Sequence, residues 1–341
     1  MARAVLGLDV GGANVKAAHS DAVAVTRPFA LWKQPQLLPQ VLKELVKELP
    51  EFELLAVTLT AELADCFQTK AEGVAEVLAA VEQVANGRPV WVWQTGAEFV
   101  DVHVARSIPR LVAAANWHAL ATFVGRLAPQ GRSLLLDVGT TTTDVIPLTD
   151  GVPVPLGLTD KDRLLNDELV YTGVKRTPVC AVVHSAPLAG QECPVAAELF
   201  ATTADVYLWL EDLPEAPHQT DTADGRPATR AAAFDRLARM FCCDREELSP
   251  EDVSALARHV AEAQIEQIER AVRRVLQRSK EPLQAVLLSG SGTFLAERVV
   301  DRLPLELVGN AERIRLSECF SPAVSEAACA FALARLACER L

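Results

Sequence analysis

Ser133-Leu134-Leu135-Leu136-Asp137-Val138-Gly139-Thr140-Thr141-Thr142-Thr143-Asp144-Val145-Ile146-Pro147 is the stretch that decides the reading of this chain. It begins as a short apolar run, the mark of a buried strand. The run ends in an acid, and a glycine and four threonines follow, a turn dense in backbone N–H and hydroxyl donors. A second acid and a second apolar run, Val145 to Leu148, bring the chain back. The pattern predicts a β-hairpin whose tip holds Asp137 and Asp144 beside a donor-lined loop. Such a loop suits phosphate, and acids next to it suit the Mg²⁺ that travels with phosphate. One such hairpin is equally well an ordinary structural turn.

The chain repeats the device. Ala4-Val5-Leu6-Gly7-Leu8-Asp9 is again an apolar run ending in Asp, followed by Val10-Gly11-Gly12-Ala13-Asn14 and the returning Val15-Lys16-Ala17-Ala18. A third loop, Ser289-Gly290-Ser291-Gly292-Thr293, follows the strand-like Ala285–Leu288 and opens a helical pattern. A Gly-Ser-Gly turn at a helix start lets backbone N–H groups approach an anion. Two Asp-Gly hairpins and a late Gly-x-Gly loop are far more specific together than any one alone.

At 341 residues, half of them hydrophobic, the chain has material for two domains with cores of their own. A net charge of −12 without a long basic run argues against a nucleic-acid or anionic-membrane surface. The first residues enter a strand at once, with no signal-peptide build. None of the eight cysteines falls at a zinc-type spacing, and buried free thiols are expected. His118 and His184 lie among apolar residues and read as core or pocket-wall groups rather than metal ligands.

In chain order, strands are expected at 4–9, 14–19 and 22–28, an amphipathic helix at 36–49 and a buried strand at 54–59. That strand delivers Thr60-Ala61-Glu62-Leu63-Ala64-Asp65 to the carboxyl end of a sheet, where α/β proteins hold ligands. Thr69 with Glu72 forms a capping box for the next helix. Residues 109–128 read as one long apolar helix, with Asn116 and His118 as polar intrusions. Asn116 faces either water or a ligand cleft. Gly151–Pro155 reads as an edge strand, 162–170 as a helix and 204–210 as a strand. Arg176, in a turn with Lys175, is a candidate clamp for phosphate or carboxylate, or a solvated charge. Residues 211–229 form a long loop of the kind that is often functional. A helix capped by Ser249 runs to about residue 280, and 305–308 reads as the last strand before a C-terminal helix from about Pro322.

With these segments in view, the chain resembles the superfamily of sugar kinases, the heat-shock-chaperone ATPase domain and actin. Within it, the chain is similar to the hydantoinase/oxoprolinase-related branch found in methanofuran- and tetrahydromethanopterin-linked one-carbon metabolism. The carrying segments are Leu6–Lys16, Leu59–Asp65, Phe67–Val74, Asn116-Trp117, Asp137–Asp144, Tyr171-Thr172-Gly173, Arg176-Thr177-Pro178 and Asp221–Arg226. The resemblance implies an α/β, two-lobed actin-like (ribonuclease H-like) ATPase fold, each lobe a mixed sheet flanked by helices. The lobes are expected at 1–130 and 131–341, the C-terminal helix packing back on the first.

The resemblance also implies a transferase that condenses a furanylmethyl diphosphate with the phenol of γ-glutamyltyramine and releases diphosphate. On that reading Gly11, Gly12, Asn14, Gly139, Thr140, Thr141, Thr142, Gly290, Ser291 and Gly292 cradle diphosphate. Asp9 and Asp137, with Asp144 beside them, hold Mg²⁺ largely through water, and Lys16 neutralises phosphate charge. Glu62 is a candidate either for binding an aminomethyl group or for serving as the base. Asn116, Arg176, Asp224 and Arg226 are candidates for substrate binding, each arginine having a plain surface ion pair as its alternative. Whether ATP binds is left open, as is a homodimer; the expected partners are small molecules. Two rivals remain: an ATP-dependent kinase or ring-opening amidohydrolase of the same fold, with Asp144 as base, and a nucleotide-switched scaffold.

Overall fold

β1 (Val5–Gly11) and β2 (Asn14–His19) form the first hairpin, antiparallel, with Asp9 opposite Lys16. The structure is a computed structural model and describes residues 3–341. β3 (Ala24–Pro28), β4 (Leu54–Thr60), β5 (Val90–Gln94) and β6 (Glu98–Asp101) complete a sheet in the order β3-β2-β1-β4-β5-β6. β7 (Arg132–Val138) and β8 (Thr143–Thr149) form the second hairpin, edged by β9 (Val152–Pro153) and β10 (Leu169–Val170). β11 (Ser185–Leu188) and β12 (Gln191–Pro194) make a separate ribbon, and β13 (Leu283–Ser289) and β14 (Glu312–Arg315) finish the second sheet.

The two sheets repeat one plan. In each, an antiparallel hairpin lies beside two parallel strands: β4 and β5 beside β1, β13 and β14 beside β7. This is the two-lobed, actin-like α/β fold. Successive strand residues face opposite sides, and the core follows that arithmetic. Leu6, Leu8 and Val10 enter a core confined to the first lobe, and Leu134, Leu136 and Val138 one confined to the second. Val5, Leu54, Leu135 and Leu287 instead enter a third core shared by both lobes. That shared core is filled by the helices Asn116–Val124 and Ala328–Arg340. The latter lies so close to β1 that a Cβ on Gly7 would sit 1.9 Å from the Ala330 carbonyl oxygen. Asp9 and Asp137 share the parity of Val5 and Leu135, so both acids face the seam between the lobes.

Five expectations are corrected. The long helix at 109–128 is broken: Pro109–Val112 is a single turn and Ala114 takes φ +48°. There Ala113 bridges to Leu59 at the end of β4, and the Ala114 N–H donates to the Leu59 carbonyl at 2.9 Å. A new helix then starts at Asn116, so the sheet overrides a strongly helical pattern. The stretch 204–210 is helix, Thr203–Trp209, set by a capping box between Thr202 and Asp205. Residues 305–308 are a helical turn and the strand comes later, as β14. Residues 162–170 divide into a short helix, Asp160–Leu165, and β10. The cysteines are free, but only Cys329 is buried, and Cys242 and Cys319 are exposed.

Candidate active site

Strand register assembles the acids. Across the first sheet Thr26, Lys16, Asp9 and Thr58 stand in one row. Across the second, Asp144, Asp137 and Ser289 do the same. Asp9 is buried, and its Oδ1 has no hydrogen-bond donor; Thr26 Oγ1 and Thr58 Oγ1 in the same row are also buried and unpartnered. Burial pushes the Asp9 carboxyl above its ordinary range, opposed by the Lys16 ammonium. Asp137 is driven to about 7, first by burial and then by the charge of Asp144, with Lys16 acting against both and Asp9 adding to the rise. Asp137 therefore feels charges from the first lobe's hairpin.

The loops between these rows are tightly set. A Cβ on Gly11 would lie 2.7 Å from the Asn14 carbonyl oxygen. The Gly12 carbonyl accepts from the Leu31 N–H at 2.9 Å. In the second lobe the Gly139 and Thr140 carbonyls accept from the N–H groups of Val174, Lys175 and Arg176 at 3.0 Å each. Gly290 has φ +88°, and a Cβ there would lie 2.2 Å from the Val138 oxygen and 2.5 Å from Asp137 Oδ1. The Gly139–Thr142 and Gly290–Gly292 loops thus meet beside Asp137, where only glycine fits. Behind them Gln264 binds Thr172 Oγ1 at 2.7 Å and the Gly173 carbonyl at 2.9 Å, and Tyr207 holds Gln264 at 2.6 Å.

Asn116 comes to the same place: its Nδ2 donates to Cys329 Sγ at 3.9 Å. Burial, with the charges of Asp9 and Asp137 adding to it, holds the Cys329 thiol well above its usual range.

A second group adjoins Asp144. Arg163 is fully buried, bonds Asp144 at 2.5 Å, reaches Asp160 at 3.7 Å and lies 4.0 Å over the Trp117 ring. Glu62 is buried, with Lys70 Nζ 4.0 Å from its Oε1 and its Oε2 without a donor. Burial drives Glu62 to about 7, Lys70 opposing and Asp160 adding to it. Arg163, Trp117, Asp160, Lys70 and Cys329 escape a sequence reading, because only non-local packing makes them neighbours; an arginine eighteen residues or more from either hairpin tip gives no local signal. His118 is a wall residue as expected: it is buried, accepts from Trp93 Nε1 at 3.3 Å, and burial lowers its pKa to about 4.

Arg176 is exposed and stacks 4.6 Å from the Trp32 ring of the first lobe, with no carboxylate partner among the described residues. Asp224 and Arg226 do not join this site. They bond each other, and the cluster extends to Asp235, Arg236, Arg239 and, through Arg236, the buried Asp205. None of those bonds reaches Asp9, Asp137 or their loops.

The residues fit Mg²⁺. Asp9 Oδ1 lacks a donor that a metal-bound water would supply, and the crowded acids favour added positive charge. No group of three or more His, Cys, Asp or Glu among the described residues is placed to ligate a metal alone. Asp9 and Asp137 would therefore hold the ion through water and through ligand phosphate oxygens.

A family model described as hydantoinase/oxoprolinase matches residues 53–339. The chain belongs to the hydantoinase/oxoprolinase family. Within that family it is 32% identical over 340 residues to a Methanocaldococcus jannaschii protein, covering 99% of this chain and 98% of the relative. That relative is named (4-{4-[2-(gamma-L-glutamylamino)ethyl]phenoxymethyl}furan-2-yl)methanamine synthase. A Methanococcus vannielii protein of the same name is 31% identical over 170 residues, half of this chain and 75% of the relative. Relatives that are synthases, one of them along its full length, make this family member an enzyme. Among solved structures, nucleotide-free acetone carboxylase superposes with a TM-score of 0.54 at 10% identity, over 98% of this chain and 70% of that one. The likeness shows the shared fold alone. No helix among the described residues is long and apolar enough to cross a membrane.

Proposed function

We propose that this enzyme joins a furanylmethyl diphosphate to the phenol of γ-glutamyltyramine, forming the ether named in its relatives and releasing diphosphate. The full-length likeness to the Methanocaldococcus jannaschii synthase carries this reading. The facing acids and glycine-bounded loops give it a site of suitable chemistry. In the reaction the bond between the furanylmethyl carbon and the diphosphate oxygen breaks, and its electron pair leaves with diphosphate. The phenol oxygen forms the new bond to that carbon, and its proton passes to Glu62 or to the departing diphosphate. N–H groups of the Gly11–Gly12, Gly139–Thr142 and Gly290–Gly292 loops hold the departing charge where it develops. Lys16 adds positive charge between Asp9 and Asp137. Mg²⁺, when bound, neutralises and orients diphosphate. Arg176, braced on Trp32 with a free guanidinium edge, is placed to grip a glutamyl carboxylate.

Titration of the full chain with Mg²⁺-diphosphate and with Mg²⁺-ATP, paired with an assay of diphosphate release from the two substrates, tests the reading. Tight diphosphate binding and ether formation without ATP are expected. Turnover that requires ATP, or binding of ATP alone, would move the assignment to a kinase or amidohydrolase.

A further inference from the structure

Glu62 is the buried acid that the phosphate-binding geometry leaves unused. It follows Thr60, which stands opposite Gly11 across β1 and β4, so it lies one short step from the first phosphate loop. Its backbone is wedged in place: a Cβ on Gly73 would lie 2.2 Å from the Glu62 carbonyl oxygen. One carboxylate oxygen faces Lys70, and the other, within a side chain only 2% exposed, has no donor. From the second lobe Asp160 approaches closely enough to oppose its ionisation, and Asp160 is in turn opposed by Asp144. Lys70 and Arg163 oppose the rise of Asp160, and Arg163 also bonds Asp144.

We propose that Glu62 and Asp160 form an interlobe subsite for an organic ammonium group, a primary amine carried by the diphosphate-bearing substrate. This rests on the ether-forming reading, whose product name in the relatives ends in a methanamine. An ammonium brings three N–H donors to the bare Glu62 oxygen and a positive charge to two acids that burial holds above their ordinary range. In this role Glu62 stays ionised beside the ammonium, and the phenolic proton leaves with the departing diphosphate. A metal ion is a poorer occupant, because Lys70 already fills one side and no group of three or more His, Cys, Asp or Glu among the described residues is placed to hold one.

The test is titration of the full chain, in Mg²⁺-diphosphate, with furfurylamine and with its neutral isostere furfuryl alcohol. The amine should bind at least about tenfold more tightly, the worth of one charge-assisted hydrogen bond. Glu62→Gln and Asp160→Asn should each erase that preference, and Lys70→Met should enlarge it by removing the competing ammonium. Equal binding of amine and alcohol to the unaltered protein overturns the proposal. So does a Glu62→Gln protein that keeps the preference, or a Lys70→Met protein that loses it. Because titration needs no turnover, absence of ether formation with the amine preference intact would remove the reaction and keep the subsite. Ether formation in which Glu62→Gln lowers kcat at unchanged KM for the amine substrate would restore the base and remove the subsite.

Discussion

Asp137→Asn should stabilise this protein above neutral pH while abolishing turnover. The folded state raises Asp137 from its ordinary 3.8 to about 7, through burial and the nearby charges of Asp144 and Asp9. Between about pH 4 and pH 7 the folded chain thus holds a proton that the unfolded chain has released, so stability falls as pH rises through that window. The full cost, present above pH 7, is about 4 kcal/mol as an upper value. Asparagine keeps the shape and removes the charge, and its amide can donate to Asp144. With about 2.1 cal/mol/K of unfolding entropy per residue over 341 residues, that cost corresponds to a rise of about 5 °C in Tm. Thermal melts in chelator at pH 8 should show the rise, and melts at pH 5, where Asp137 is already neutral, should show little. Added Mg²⁺ should raise the Tm of the unaltered protein and close the gap. A variant no more stable than the original at pH 8, or equally stabilised at pH 5, would refute the claim that like charges are crowded here for a cation.

Two further outcomes follow from the packing and the charges. Gly7→Ala drives a methyl into the Ala330 carbonyl and must move the C-terminal helix, at a cost of about 3 kcal/mol in chemical denaturation; a loss under 1 kcal/mol would show that the helix seat is loose. Arg176→Ala should raise KM for γ-glutamyltyramine by about tenfold to a hundredfold while leaving tyramine unaffected, whereas Arg226→Ala should lower stability and leave both values alone; the reverse split would exchange the two assignments.

The hairpins were legible because alternation is a local property. An apolar run ending in Asp, then a glycine turn, commits both strands, and parity alone sends Asp9 and Asp137 to the shared face. The Gly290 loop was legible for a similar reason: its glycines border a strand that can lie only beside β7. Where tertiary contacts decide, the pattern misleads. Residues 109–128 carry helical composition throughout, yet the end of β4 captures Ala113 and Ala114 and breaks the helix. The ties of Asp224 and Arg226 to Arg236 and Asp235 could not be read from their long, charged loop, because their partners come from the helix that follows it. Arg163 gave no sign at all, since its meaning comes from Asp144 on β8 of its own lobe and from Trp117 across the seam.

The duplication itself explains how one scaffold makes a directional site. Asp9 and Asp137 occupy equivalent places, each at the carboxyl-terminal part of the first strand of its hairpin. Their hairpin partners differ in sign: Lys16 stands opposite Asp9, and Asp144 opposite Asp137. Lys16 therefore lowers the cost of ionising both acids, while Asp144 raises it for Asp137. The first lobe presents a nearly neutral face suited to the anionic phosphates, and the second an acidic face that invites a cation. Arg163 keeps that acidic face from becoming prohibitive by clamping Asp144 from behind, and Trp117 screens the guanidinium from water. Had both lobes kept the lysine, the seam would attract anions evenly and give diphosphate no preferred orientation. Had both kept the aspartate, four carboxylates would meet without a lysine, and either the protein would lose stability or two cations would be needed. On the proposed ether-forming reading, this one difference between equivalent positions would set which end of diphosphate points toward which lobe, and hence where the carbon it leaves would sit.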